Sequence, residues 1–340
     1  MEDNIALWKW QKGKMYSGIG RGGGAAKPDG APSNLILTAS SDTTISGAFD
    51  IGSTNHDGHY AYYSTDGVNY TKAVNAEAVM KGANNTFQIT GLISGTLYYV
   101  YVVAYKGTNL SDPSNIATKE TISLPSDIDA LLYWFDPSQL TGLADNDVIT
   151  DATDFSGNSN TPTQSNASYK GIYKTNIQNG HPVIRLDGSN DRYRKLSVPI
   201  TQPITVFVAA KPNNIYYIFD TNGAKILFQT STGYTRFAIN AGITLPTLTS
   251  NATFGTFVIG YGVINGVASS VKINGGYAVS GTAGVGGGDR IELFSDTTES
   301  IFFQGDCGDI IIYNGVLLAS VARRIEEYLA WKYAITLVPI

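Results

Sequence analysis

The stretch that most restricts this chain is LISGTLYYVYVVA, residues 92–104. After Gly95 and Thr96 come eight residues, of which three are tyrosines and four are Val or Leu, and none is charged. Counted by twos, Tyr98, Val100, Val102 and Ala104 fall on one face and Tyr99, Tyr101, Val103 and Tyr105 on the other, which is the period of a strand. A helix would need an apolar stripe at spacings of three and four, and the β-branched and aromatic enrichment opposes one. One face is therefore expected in a core and the other to be aromatic and half covered. Gly95 marks the turn before the strand. A tyrosine just after such a turn can bury its ring while its hydroxyl bonds the backbone a few residues upstream, so Tyr98 is expected to be a structural corner.

Leu92, Gly95, Thr96, Tyr98, Val102 and Ala104 follow the L-x-P-G-T-x-Y-x-x-x-V-x-A signature of fibronectin type III domains, with Ser94 where that family usually has Pro. The resemblance extends over residues 33–122. NLILTAS and TTISGAFD resemble the family's first two strands, YAYYSTDGVNY its third strand running into a turn at Asp66-Gly67, and SDPSNIATKET its last. The tryptophan usual on the second strand is absent, with Gly47 and Phe49 nearby, so this core must be filled differently.

A chain of 340 residues is too long for one such sandwich, and two domains of unequal size are expected. Only 15% of residues are charged, while Gly (37) and Tyr (21) are abundant, which suits turn-rich β structure. The net charge of −5 gives no general attraction for nucleic acid or for an anionic membrane. Cys307 is the single cysteine, so an internal disulfide and a zinc-type spacing are both excluded; within GDCGDIIIY it reads as a small buried residue. No run of eighteen or more apolar residues occurs, and the N-terminus carries no apolar segment of signal-peptide length. The expectation is a soluble protein made in a cytoplasm.

Residues 1–32 place Lys9, Lys12, Lys14, Arg21 and Lys27 among Trp8, Trp10 and Tyr16, then dissolve into glycines. That composition by itself is the ordinary one of a flexible tail; an extended docking arm is the alternative. Trp8, Trp10 and Tyr16 have the chemistry of anchors on a protein surface, and the arm is the reading taken here. Residues 123–125 are a linker.

Residues 126–340 read as a second β domain. Apolar or alternating runs recur at ALLYWFD, HPVIRLDG, ITVFVAAK, YIFDT, KILFQT, TRFAIN, TFVIGYGV, SSVKING, RIELFSD and GDIIIYNG, separated by Gly, Asn, Asp and Ser. Ten to a dozen short strands imply two large antiparallel sheets packed face to face. Helical periodicity is strong only in LLASVARRIEEYLAWKYAI, with Val321, Ile325, Leu329 and Tyr333 on one stripe and Arg323, Arg324, Glu326 and Glu327 away from it. The stretches LLYWFDPSQLTGLADNDVITDATDFSGNSNTPTQSNASYKGIYKTN, GHPVIRLDGSNDRY and GDIIIYNGVLLASVARRIEEYLAWKY resemble the concanavalin A-like, laminin-G-like domains of bacterial surface proteins and phage structural proteins. The resemblance implies a jelly-roll sandwich that often binds sugars, sometimes with calcium, and sometimes only builds an assembly.

Some members of that fold class hydrolyse glycans with carboxylates from one strand, because an acid and a nucleophile must flank the glycosidic bond. Here ELFSDTTES offers Glu292, Asp296 and Glu299, but the E-x-D-x-x-E pattern is not met, and surface carboxylates are the expectation. No Ser-His-Asp arrangement is evident: His56 and His59 lie in TNHDGHY and His181 precedes Pro182, all reading as exposed loop residues. For calcium, DFSGNSN and DGSNDRY supply Asp154, Asn158, Asp187, Asn190 and Asp191. The same residue types close turns by bonding their own backbone, which is the simpler reading. GVGGGDR lacks the Lys-Ser/Thr of a phosphate loop.

The sequence thus points to an all-β chain: an N-terminal extended arm, a fibronectin type III-like sandwich, and a larger concanavalin A-like jelly roll with a C-terminal helix. By resemblance, the expected role is that of a non-enzymatic bacteriophage virion protein, a head decoration, head fibre or tail-associated component. Its arm would hold other virion proteins, its domains would meet host surface glycan, and it would be present in several copies. No cofactor is required, calcium being the one candidate. The alternative is a bacterial carbohydrate-binding or glycan-processing surface protein.

Overall fold

The computed structural model describes residues 9–11, 14–16, 26–39, 41–74, 79–82, 84–213, 216–231, 234–242, 244–246 and 255–339. The chain is nearly all β, with one α-helix, Ala319–Tyr333, among the described residues. It divides into two compact units, Met1–Ser123 and Leu124–Ile340. No helix among the described residues is long and apolar enough to cross a membrane.

Within residues 1–32, Lys9–Gln11 pairs antiparallel with Lys14–Tyr16, setting Trp10 opposite Met15. Trp8 lies outside the described residues, as do the side chains of Trp10 and Tyr16.

The first unit is a sandwich of two antiparallel sheets. Ser33–Ala39, Ile45–Asp50 and Thr86–Ile89 form one. In the other, Leu97–Lys106 is flanked by Gly58–Ser64 on one side and by Asn109–Leu110 and Ala117–Glu120 on the other, and Thr71–Lys72 and Val79–Lys81 extend Gly58–Ser64. This is the strand pairing of a fibronectin III-like sandwich. Leu35, Ile45, Phe49 and Phe87 of the first sheet meet Ala61, Tyr98, Val100 and Val102 of the second in one core. The opposite face of Leu97–Lys106 is covered largely by its own rings: Tyr62 stacks on Tyr101 at 5.1 Å and Tyr60 on Tyr105 at 4.1 Å, with the Lys72 ammonium 3.3 Å from the Tyr60 ring centre. The place of the missing tryptophan is also accounted for. A side chain at Gly47 would fall 2.3 Å from the Phe87 ring, so Phe87 fills the space from the neighbouring strand.

His59 departs from the exposed-loop reading. It stands on Gly58–Ser64 between Ala104 and Met80, is 0% exposed, and meets the Phe49 ring edge-on at 4.9 Å. The strand already begins one residue before it, at Gly58, so strand parity sends the ring into the core.

The second unit packs an eight-stranded sheet on a six-stranded one. The larger sheet runs Ile172–Gln178, His181–Asp187, Gln304–Asn314, Ile204–Pro212, Val258–Ile264, Ser269–Ile273 and Val279–Gly281. Leu131–Phe135 pairs with the second half of Gln304–Asn314, next to His181–Asp187, which pairs with its first half. The smaller sheet runs Tyr193–Ile200, Gly288–Leu293, Tyr216–Asp220, Lys225–Ser231, Tyr234–Asn240 and Thr244–Pro246. Alternate residues from both, among them Ile204, Val206 and Val208 against Phe237, Ile239 and Leu293, fill the core. Gly260 and Gly262 are the bare positions opposite Phe237 and Ile239: a Cβ at Gly260 would lie 2.3 Å from the Phe237 ring and one at Gly262 2.6 Å from Ile239. A register shift opposite Val208–Ala210 lets Cys307, Ile310 and Ile312 all enter this core, while Asp306 and Asp309 turn away from it.

The helix Ala319–Tyr333 covers the outer face of the larger sheet, burying Ala322, Ile325, Tyr328, Leu329 and Tyr333. Two charged residues go in with them. Glu326, expected on the exposed side, is 0% exposed and lies 2.9 Å from Lys272 on Ser269–Ile273, a partner 54 residues away that the helical pattern cannot reveal. Lys332 is the other.

Candidate functional site: a charged row on the six-stranded sheet

Register sets five residues in one line across the smaller sheet. Arg194 is opposite Glu292, Glu292 opposite Asp220, Asp220 opposite Lys225, and Lys225 opposite Asn240. The parallel line of their neighbours, Tyr193, Leu293, Phe219, Ile226 and Ile239, belongs to the core. Because side chains alternate along a strand, the charged row occupies the face turned away from that core.

Two carboxylates directly opposite each other on adjacent strands repel, and burial sharpens the cost. Glu292 and Asp220 are both 0% exposed, and each is answered by a cation. Arg194 Nε contacts Glu292 Oε2, and Arg194 Nη2 reaches Glu299 at 3.0 Å; Lys225 Nζ lies 3.2 Å from Asp220. Ser295 donates its hydroxyl to Glu292 at 3.1 Å, and the amides of Asn222 and Thr297 donate to Asp220 at 2.8 and 3.1 Å. Burial pushes the Glu292 carboxyl above its ordinary range, against the pull of Arg194.

The cover over this row is the loop after Gly288–Leu293, closed by an isolated bridge between Ser295 and Phe302. Burial works against ionisation of Asp296, but hydrogen bonds from Thr298, Ser300 and Ile301 outweigh it and hold its carboxyl low. The loop is entered through Phe294 at φ 68°, a left-handed conformation costly for a bulky side chain and sustained by the buried packing of its ring against Tyr193 and Phe303. At the rim, Arg192 pairs with Glu299 at 2.7 Å and stacks 4.2 Å over the Tyr169 ring, while Lys225 sits 4.8 Å from the Tyr217 ring.

Glu292 and Asp296 are therefore buried, correcting the expectation of surface carboxylates. Asp296 lies beyond the end of Gly288–Leu293 and serves its own loop. Arg194, Asp220 and Lys225 were not singled out from the sequence. For Asp220 and Lys225 the available signal is their position, charges bordering the apolar runs YIFDT and KILFQT in a chain poor in charge; Arg194 lies on a strand that no such run marks.

The candidate calcium residues lie in two turns. Asp154 accepts from the amides of Trp134, Ser156 and Asn160 at 2.8 to 3.1 Å, and Asn158 donates to the Leu131 carbonyl at 2.7 Å. Asp187 accepts from the Ser189 amide at 2.7 Å and Asp191 from the Asp187 amide at 2.8 Å. Burial pushes the Asp191 carboxyl up to about 6. Among the described residues no three His, Cys, Asp or Glu side chains group as a metal-holding set. His181 lies on the strand His181–Asp187, half-buried, 6.0 Å from the Tyr333 ring, which corrects its placement in an exposed loop; the strand extends through Pro182. Tyr98 accepts a hydrogen bond from the Ile93 amide, as a corner tyrosine does.

No protein-family model matches the chain, and no curated protein sequence does. Among solved structures it is similar to domain 4 of AbnA, a GH43 extracellular arabinanase from Geobacillus stearothermophilus solved with arabinotriose, at 16% identity over 58% of this chain and 98% of that one, with a TM-score of 0.44. The third fibronectin III domain of human KIAA0343 protein matches at 17% identity over 32% of this chain and 94% of its own, TM-score 0.26. The fn3 domain of human collagen alpha-1(XX) matches at 18% over 30% and 94%, TM-score 0.25.

Proposed function

We propose that the chain is a non-enzymatic structural and adhesion protein of a bacteriophage particle. In this reading residues 1–32 dock onto other particle proteins, and the second unit, a concanavalin A-like sandwich, offers the charged row and its rim to a host-surface glycan. The observation that carries the non-enzymatic part is the ionic closure of the row: Glu292 and Asp220 are each locked to a cation. Glycoside hydrolysis needs one carboxyl free to donate a proton and another free to attack or to activate water. The rim suits binding: besides their pairing with Glu299 and Asp220, the Arg192 guanidinium and the Lys225 ammonium carry further N–H donors beside the Tyr169 and Tyr217 rings, which can contact hydroxyls and the apolar faces of sugars. The particle setting is supported by the resemblance of both units to adhesion-type modules and by the aromatic and basic character of residues 1–32.

The test pairs purified protein with bacterial surface polysaccharides. Retention of a polysaccharide that weakens in Arg192→Ala and Lys225→Ala, without release of reducing ends, is the expected result. Hydrolysis that disappears in Glu292→Gln would make the chain an enzyme. Deleting residues 1–30 should leave a folded protein that no longer joins particles; normal uptake of the truncated chain would place docking elsewhere.

A further inference from the structure

A second polar cluster lies beneath the C-terminal helix, on the outer face of the eight-stranded sheet. Lys332, 3% exposed, sets Nζ 2.7 Å from Asp309 Oδ1 and 2.5 Å from Asp136 Oδ1. Asp309, on Gln304–Asn314, is 0% exposed. Its Oδ1 also accepts from the Tyr333 hydroxyl at 2.5 Å, and its Oδ2 accepts from Trp134 Nε1 at 2.9 Å and the Tyr328 hydroxyl at 3.1 Å. Asp136 follows Leu131–Phe135, is 4% exposed, and accepts from the Ser138 amide at 2.7 Å and Gln139 Nε2 at 3.2 Å.

One ammonium against two carboxylates, walled by three aromatic side chains, leaves a negative charge that burial penalises. The site relaxes by keeping a proton on one acid. Burial first, and the neighbouring Asp136 second, push the Asp309 carboxyl up, the direction that favours its protonated form. Lys332 Nζ lies within hydrogen-bond distance of both carboxylates, so Asp136 is placed to accept a proton from the ammonium while Asp309 presents its carboxyl to the nitrogen.

We propose that Lys332 and Asp309 condense into an intramolecular amide, with Asp136 as the proton carrier. Lys332 Nζ attacks Cγ of protonated Asp309, forming the C–N bond. Asp136, carrying the proton taken from the Lys332 ammonium, gives it to the departing hydroxyl, the C–O bond breaks and one water leaves; the carboxylate so regenerated then takes the second proton that the nitrogen sheds. Amine and acid become amide and water, with no oxidant, nucleotide or metal consumed. Donors already point at both Asp309 oxygens, so the oxygen that turns negative in the tetrahedral intermediate is stabilised without rearrangement. Fixed proximity replaces the encounter of two separate reactants, and burial keeps out the water that would reverse the step. The product fastens the last turn of the helix to the central strand of the larger sheet.

The experiment is intact-mass spectrometry of the full chain, held folded overnight at neutral pH and then denatured, followed by peptide mapping. The expected mass is one water below that of the sequence, with a branched peptide joining Lys332 to Asp309. Asp136→Asn and Lys332→Met should each restore the full mass while circular dichroism still reports a folded β protein. Wild-type protein at full sequence mass overturns the proposal even if both variants fail to fold. So does a water loss that survives Lys332→Met, or one that maps to any other pair, including Lys332 with Asp136.

Discussion

The hydroxyl of Tyr98 accepts a hydrogen bond from the backbone amide of Ile93, five residues upstream, at 2.9 Å. The ring is 3% exposed, so one side chain both fills the core and pins the turn that carries Gly95 at φ 56°. Tyr98→Phe keeps the ring and removes the acceptor. The loss expected is about 1 kcal/mol, read as a lower denaturant midpoint at unchanged slope. A midpoint equal to wild type would mean that the bond does not hold the corner.

His59 gives the first unit a defined acid sensitivity. Burial, and then the charge of His56, lower its folded pKa to about 4 from 6.5. The unfolded chain therefore binds the proton more readily, so this contribution is complete above pH 6.5 and is lost as pH falls toward 4. His59→Leu should lose less stability than wild type between neutral pH and about pH 4.5 in denaturant titrations. Equal losses in the two proteins would assign the sensitivity to other groups.

Asp191 has the opposite sign. Its folded pKa of about 6 lies above the ordinary 3.8, so the folded state holds the proton more tightly, and stability is lost as pH rises between those values. Asparagine keeps an oxygen for the Asp187 amide without the buried charge. Asp191→Asn should melt higher than wild type at neutral pH in chelator, with the advantage vanishing below about pH 4. If calcium raises the melting temperature of wild type but not of the variant, the two turns form a metal site after all.

Gly260 is predicted to be intolerant of any side chain. Gly260→Ala drives a methyl against the buried Phe237 ring, and the cost expected from overpacking is roughly 1–3 kcal/mol. Phe237→Leu should cost less in the Gly260→Ala background than in wild type, as a double-mutant cycle in thermal or chemical denaturation can show. Strict additivity would mean that the two positions do not compete for the same space.

Strand parity made much of this fold legible. The alternation through Tyr98, Val100 and Val102 located a core face, and runs such as ITVFVAAK and GDIIIYNG became strands of the larger sheet. Tyr193–Ile200 and Ile172–Gln178 were not marked as strands, because Ser197 and Asn176 at positive φ break their alternation. The charged row was illegible for a different reason. Glu292 meets Arg194 across 98 residues, and the loop that covers it carries the polar letters of an exposed turn. Lys332 and Glu326 were hidden likewise, since a helical stripe shows which residues share a face but not how wide the buried face is.

The central strand of the larger sheet has a consequence for the making of the protein. Gln304–Asn314 is bonded along one edge to Ile204–Pro212 and along the other to His181–Asp187 and Leu131–Phe135, all of which leave the ribosome long before it. Until it emerges, those three strands have no common neighbour and their unpaired edges are open to other chains. Long-range pairing of this kind is slow to form, so the second unit should complete itself only after nearly all of it has been synthesised. A ribosome that stalls before residue 304 releases sticky, unfinished sheets, whereas the first unit, whose described strand pairs join only residues 9 to 120, can already have closed.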